Sequence, residues 1–213
     1  MILSSLQNYL PLTLQIPYTL SDNLSKNDRL TIAKAMDQIE EDTCVKFVPR
    51  GLNPYYVHIA RECSCGSRNC AFNGAYANIG PGPLPGFPSR LRILTCLNPT
   101  DRDAVGIVTH ELMHNMGLLH THTRADRDRH VRVNYLNVLP DKWVDYAWNP
   151  LQFPLDTPYD CDSIMHYRDS SFKSGLFGSK TMQAVDPGKC NLRSRSPTPT
   201  RSDRDLIRTL YNC

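Results

Sequence analysis

The eleven residues from His110 to His120, HELMHNMGLLH, constrain this chain more than any other segment of it. His110 and His114 are four apart, so on a helix both rings project from one face about a turn from each other. Glu111 lies between them, giving an H-E-x-x-H arrangement. There, two imidazoles can hold zinc while the glutamate reaches a metal-bound water. Gly117 follows three residues after His114 and permits the left-handed turn that ends a helix. His120, three residues further on, can then return a third imidazole from outside the helix. Three protein ligands leave a fourth position open for water, as a catalytic zinc site requires. The fold must therefore bring a helix, a glycine break and a returning chain to one point, around one catalytic zinc ion.

The remainder of the chain fits such a frame. Its 213 residues suit one domain, or one split by a central cleft, and 40% hydrophobic with 21% charged residues rules out wholesale disorder. The net charge of +3 comes from interspersed runs such as RADRDR (124–129), not from a basic stripe, so no nucleic acid partner is expected. No stretch approaches the roughly 18 apolar residues of a membrane span. The opening MILSSLQNYLPL has neither a basic start nor a sustained apolar run, so it does not read as a signal peptide. Eight cysteines imply an oxidised framework and a secreted, extracellular protein; the alternative is a cytosolic protein with free or metal-binding thiols. If secreted, the chain is a mature or trimmed form.

The pattern of elements is α+β. Residues 14–20 read as a strand with an edge-type Pro17. A helix over Lys26–Thr43 starts at a Ser25/Asp28 capping box. Strands are expected over 45–49, 55–60 and 91–95, with a further one over 75–80. A second helix over Asp101–Met116 stops at Gly117. A helix begun or interrupted by Pro140 is expected over 135–146, a loop over 193–201, and a last helix over Ser202–Tyr211, capped by Ser202 and Asp205.

H-E-x-x-H-x-x-G-x-x-H is the metzincin pattern, whose other signature is a Met-turn, and SIMHY (163–167) supplies the methionine. HELMHNMGLLHTHTRADRDRHV with SIMHY resembles the astacin family of zinc endopeptidases, and IPYTL, CVKFVPR and the terminal LYNC extend the resemblance over nearly the whole chain. It implies a single two-lobed, zincin-like catalytic domain over 1–213. The upper lobe, about 1–117, would hold a twisted mixed sheet and two helices. An irregular lower lobe, about 118–213, would carry the Met-turn and a C-terminal helix, with the zinc cleft between.

Residue by residue, the resemblance makes His110, His114 and His120 the zinc ligands and Glu111 the general base. Tyr167 becomes a further ligand that swings away to stabilise the oxyanion, and Met165 an apolar floor. It implies hydrolysis of internal peptide bonds in protein or peptide substrates bound extended, with the strand at 91–95 as the cleft rim. Arg90, Arg92 and Lys173 are candidates to meet an acidic substrate side chain. It also implies the disulfide Cys44–Cys213 and a bridge to Cys96 from one of Cys63, Cys65 and Cys70; similarity to members with extra cysteines favours Cys63–Cys96 with Cys65–Cys70, and Cys161 would then pair with Cys190. A four-thiolate zinc knot of Cys63, Cys65, Cys70 and Cys96 is the rival arrangement.

His58, His122, His130 and His166 sit at no ligand spacing and read as structural or solvated. Arg124, Asp126, Arg127 and Asp128 read as a charge network bracing the turn after the third histidine. One position departs from the family: a glutamate that follows the third zinc histidine, and receives the amino terminus of the matured enzyme, is here Thr121. That contact is therefore not expected. Competing readings are an extracellular zinc-stabilised binding or adhesion module without turnover, and a disulfide-stapled domain without metal.

Overall fold

Ser25 shows how local chemistry starts the fold. Its hydroxyl accepts the Asp28 N–H at 3.2 Å while the Asp28 carboxylate accepts the Ser25 N–H at 2.8 Å. This closed capping box opens helix α1, Lys26–Glu40. Ile32, Ala35, Met36 and Ile39 form its buried stripe. The helix ends three residues before the expected Thr43: Asp42 takes a positive φ of 58°, and the Thr43 hydroxyl caps the Ile39 carbonyl instead. The Asp28 carboxylate, fully buried, also pairs with the largely covered Arg61.

The computed structural model describes residues 15–64, 74–149, 152, 157–175 and 180–213. The chain forms two compact units. One runs to Leu118 and adds Pro197–Pro199 and Ile207–Cys213; the other takes Leu119–Ser196 and Thr200–Leu206.

The first unit carries a five-stranded sheet of β1 (Gln15–Leu20), β2 (Lys46–Pro49), β3 (Val57–Arg61), β4 (Ala75–Ala77) and β5 (Ser89–Ile93), in the order β2-β1-β3-β5-β4. Only β4 runs antiparallel. Two expectations change here. β1 has a neighbour on each side, with Pro17 in register with Val48, so its proline does not mark an edge. A proline removes one donor from a ladder, and here the neighbouring pairs hold the strand in place regardless. β5 is likewise interior, flanked by β3 and β4, so the 91–95 strand cannot form an open rim; among the described residues that edge belongs to β4.

In-register pairs Val57–Ser89, Ile59–Leu91 and Arg61–Ile93 alternate along β3 and β5, which turns Val57, Ile59, Leu91 and Ile93 to the buried side. Helix α2, Arg102–Asn115, packs against α1, and Thr109 Oγ1 reaches Gln38 Oε1 at 2.8 Å. Cys44 and Cys213 are bonded, with Cα atoms 6.0 Å apart.

The second unit is mostly irregular. Its two-stranded sheet, β6 (Val131–Val133) with β7 (Met182–Ala184), was not visible in the sequence pattern, since three-residue strands are too short to show alternation. The helix expected over 135–146 is instead two 3₁₀ turns, Tyr135–Asn137 and Pro140–Tyr146, the second opening at the proline. Val131, Val138, Tyr146, Met182 and Leu192 pack around the Cys161–Cys190 bridge.

Helix α3, Arg201–Tyr211, is capped earlier than expected. Thr200 Oγ1 receives the Asp203 N–H at 3.2 Å and Asp203 Oδ2 receives the Thr200 N–H at 2.9 Å, so the box uses Thr200 and Asp203, not Ser202 and Asp205. Cys63 and Cys96 are both disulfide-bonded, which removes them as thiolate ligands of a zinc knot. Cys65 and Cys70 lie outside the described residues, as do residues 1–14.

Candidate metal centre

Asp101 opens α2, its side chain accepting the Asp103 N–H at 2.9 Å. The helix is held on both sides of the motif: Thr109 bonds to α1, and Asn115 Nδ2 donates to Ser89 Oγ at 2.8 Å and to the Asn78 carbonyl at 3.1 Å. Met116 caps its end, and Gly117 adopts φ +99°, the left-handed turn foreseen for it. The Leu118 N–H returns to the Met113 carbonyl at 3.1 Å, which reverses the chain after one residue.

The turn brings the histidines together. The ligand nitrogens of His110, His114 and His120 lie within 4.8 Å of one another. His110, Glu111 and His114 are all buried, although a solvated helix face would leave them exposed. His114 Nδ1 lies 2.7 Å from the Leu118 carbonyl. A carbonyl only accepts, so Nδ1 carries the proton and Nε2 keeps the lone pair that a metal needs. Three imidazole nitrogens at this separation suit a tetrahedral zinc site with one open position.

Tyr167 stands beside the third histidine, its ring 4.4 Å from that of His120, and stacks on His122 at 4.0 Å. Met165 is fully buried, and its carbonyl accepts the Thr121 N–H at 3.0 Å. Thr121, at the departure from the family pattern, is itself buried and hydrogen-bonds to Ser163 at 3.0 Å.

The other histidines have structural surroundings. His58 bonds to Thr19 at 2.9 Å, and burial followed by the charges of Arg92 and Arg90 pushes its pKa down. His130 stacks on Tyr159 at 4.3 Å. His166 lies between Tyr159 Oη at 2.7 Å and the Tyr167 carbonyl at 2.6 Å, and burial pulls its pKa down to about 4. His122 is fully buried, with Nε2 3.0 Å from the Asp145 carbonyl. Spacing gave no sign that it lies directly under Tyr167.

The charge network forms as read, except at Asp128. Arg124 grips Asp126 with two parallel bonds of 2.9 and 2.8 Å and reaches the Thr157 carbonyl at 3.0 Å. Desolvation pushes the Asp126 carboxyl pKa up, but the hydrogen bonds and charge of Arg124, together with a backbone hydrogen bond and the charge of His130, leave it lowered. Arg127 is buried and bonds to the carbonyls of His122 and Tyr146. Asp128 is exposed and adds only a surface contact. Arg90 and Arg92 line a groove with Tyr76 and Phe87, while Lys173 pairs in a β-bridge with Val138.

The model of the Astacin family of peptidases matches residues 7–77 and 97–212. Low choriolytic enzyme of Oryzias latipes is 30% identical over 93% of this chain and 66% of its own length. Bone morphogenetic protein 1 of Xenopus laevis is 35% identical over 93% of this chain and 26% of its own length. The chain thus spans only part of the curated relatives it matches. Among solved structures, High choriolytic enzyme 1, a hatching enzyme zinc-protease from Oryzias latipes, superposes with a TM-score of 0.77 at 29% identity, covering 95% of this chain and 91% of its own.

Proposed function

Because the chain belongs to the astacin family of peptidases, we propose that it is a secreted zinc endopeptidase, the whole chain forming one catalytic domain. The observation that carries this reading is the convergence of three imidazole nitrogens within 4.8 Å beside the buried Glu111. Such a site suits hydrolysis more than structural metal binding, since three ligands leave a position for water. The disulfides agree with an oxidising, extracellular setting. No helix among the described residues is long and apolar enough to cross a membrane.

In this reading His110, His114 and His120 hold the zinc. When bound, zinc supplies a Lewis acid that lowers the pKa of a water molecule and polarises the scissile carbonyl. Glu111 takes the proton from that water and delivers it to the leaving amine. Tyr167, seated on His122, offers its hydroxyl to the developing oxyanion. Met165 closes the apolar floor. An extended substrate adds along β4, the terminal strand next to β5.

The test is hydrolysis of a quenched fluorescent peptide library with and without a chelator, for the wild type and Glu111→Gln. Chelator-sensitive cleavage that falls at least about a hundredfold in Glu111→Gln, with zinc still bound one to one, supports the proposal. Stoichiometric zinc without cleavage favours a binding module, and absence of zinc sinks both.

A further inference from the structure

We infer that Asp203, in the first turn of α3, is a positioning residue for the metal centre: through Ser163 it holds Thr121, the neighbour of His120, and the turn that carries Met165. This rests on the reading of His120 as a zinc ligand.

The Ser163 hydroxyl is the hub. It lies 2.6 Å from Asp203 Oδ1, 3.0 Å from Thr121 Oγ1 and 3.0 Å from the Met165 N–H. A hydroxyl has one proton and two lone pairs. The short contact to the carboxylate takes the proton, so Ser163 must accept from both Thr121 and Met165, and its capacity is then full. The directions of the whole chain of bonds follow from the charge at Asp203.

The second carboxylate oxygen completes the clamp. Asp203 Oδ2 accepts the Ile164 N–H at 3.0 Å and the Thr200 N–H at 2.9 Å. One side chain therefore fixes Ser163 directly, Ile164 through its backbone, and Met165 through Ser163. The Thr121 N–H bonds to the Met165 carbonyl at 3.0 Å, so the residue after His120 is tied to this turn twice. Thr121, Ser163 and Asp203 are 7%, 2% and 1% exposed, which denies water the chance to replace a lost partner. Capping α3 needs only Oδ2; Oδ1 is committed outside the helix, to Ser163. That division of oxygens is what separates a positioning role from an ordinary cap.

Asparagine tests this well, because neither orientation of its amide fits. With the amide oxygen toward Ser163, the NH₂ faces the N–H groups of Ile164 and Thr200. With the oxygen toward those N–H groups, the NH₂ faces Ser163, and the Ser163–Thr121 bond must reverse. Asp203→Asn, Thr121→Val, their double variant and Thr121→Ser would be compared with Val138→Ala, a core substitution away from the network, as a control for general destabilisation. The readouts are zinc affinity by chelator competition, the visible spectrum of the Co²⁺-substituted protein, and Tm.

Asp203→Asn and Thr121→Val should each weaken zinc binding by about 10–100-fold and shift the Co²⁺ bands. The double variant should lose little more than either single one, and Thr121→Ser, which keeps the hydroxyl, should bind as the wild type does. If Asp203→Asn retains zinc and the wild-type spectrum at a Tm matched to Val138→Ala, the carboxylate only caps a helix and the inference is wrong. Additive losses in the double variant would also overturn it. A wild-type protein that takes up no zinc overturns the ligand reading itself, a different outcome from zinc-loaded variants that behave alike.

Discussion

His166 makes the second unit sensitive to mild acid. It is 1% exposed and bonded on both ring nitrogens. The Tyr167 carbonyl can only accept, so Nδ1 holds the proton, and Nε2 accepts from the Tyr159 hydroxyl. A second proton would have to enter at Nε2, where the phenol already points its own hydrogen. Burial is the main cause that pulls the pKa to about 4, from 6.5, against opposing pulls from the Tyr167 carbonyl and the Asp160 charge.

Because the folded value lies below the unfolded one, the unfolded chain takes up its proton first as the pH falls. Stability is therefore full above about pH 6.5 and drains away between there and about pH 4. The gap corresponds to about 3 kcal/mol in all at 1.36 kcal/mol per pH unit, and about 2 kcal/mol of it should be gone by pH 5. Trp143 and Trp148, the only tryptophans of the chain, lie in the same unit as His166, so urea unfolding followed by their fluorescence reports on it. Wild type and His166→Gln would be measured at pH 7.5 and pH 5 with chelator throughout, so that metal release and the other histidines cancel in the difference. The wild type should lose about 2 kcal/mol more than the variant between the two pH values. Equal losses would refute the reasoning, because His166 would then be no harder to protonate folded than unfolded.

Four variants in the first unit test its packing. Ser25→Ala should cost about 1 kcal/mol for the lost cap, whereas Asp28→Ala should cost about 3 kcal/mol because it also leaves the largely covered Arg61 without its counter-charge; similar costs by denaturant titration would contradict the ion pair. Gly106→Ala would normally gain about 1 kcal/mol of helix propensity, but its Cβ would stand 2.8 Å from the Pro197 carbonyl oxygen. The substitution should therefore lower stability by roughly 1 kcal/mol, and a raised Tm would show that the backbones are not so close. Replacing Cys44 and Cys213 by Ser opens a loop of 169 residues, for which chain entropy sets a loss of up to about 5 kcal/mol; a loss below about 1 kcal/mol in non-reducing urea titrations would mean the bridge constrains little.

What could be read from the sequence was whatever a single element carries. The spacing His110–His114, the break at Gly117 and the Ser25–Asp28 box are each contained within one turn or a few, and each appears in the structure where its chemistry demands. What could not be read depends on partners far along the chain. Ser163 meets Thr121 across 42 positions and Asp203 across 40. A T-x-x-D pattern at Thr200 marks a helix start, but nothing local says that its carboxylate also serves a loop. His122 stands two residues from a ligand position, a spacing without meaning on a helix; the chain there is a 3₁₀ turn, which buries it beneath Tyr167. Strand order is hidden for a related reason, since alternation tells which face is buried and says nothing of which strand lies outermost.

The irregular unit also explains why an arginine-rich run follows the third histidine. Loop backbone inside a protein still needs partners for its carbonyls, and short strands supply few. Here side chains provide them: Arg127 bonds to the carbonyls of His122 and Tyr146, Arg124 to those of Thr157 and Pro158, Asn137 Nδ2 to that of Lys180, and Tyr146 Oη to that of Ser171. A guanidinium can serve several carbonyls at once in a fixed plane, which a lysine ammonium cannot do with the same geometry. Arg124 and Arg127 therefore act as cross-links where a larger protein would use a sheet. The segment behind His120 and His122 is held by interior charges, so the position of the third imidazole depends on polar geometry, while the first two rest on a packed helix.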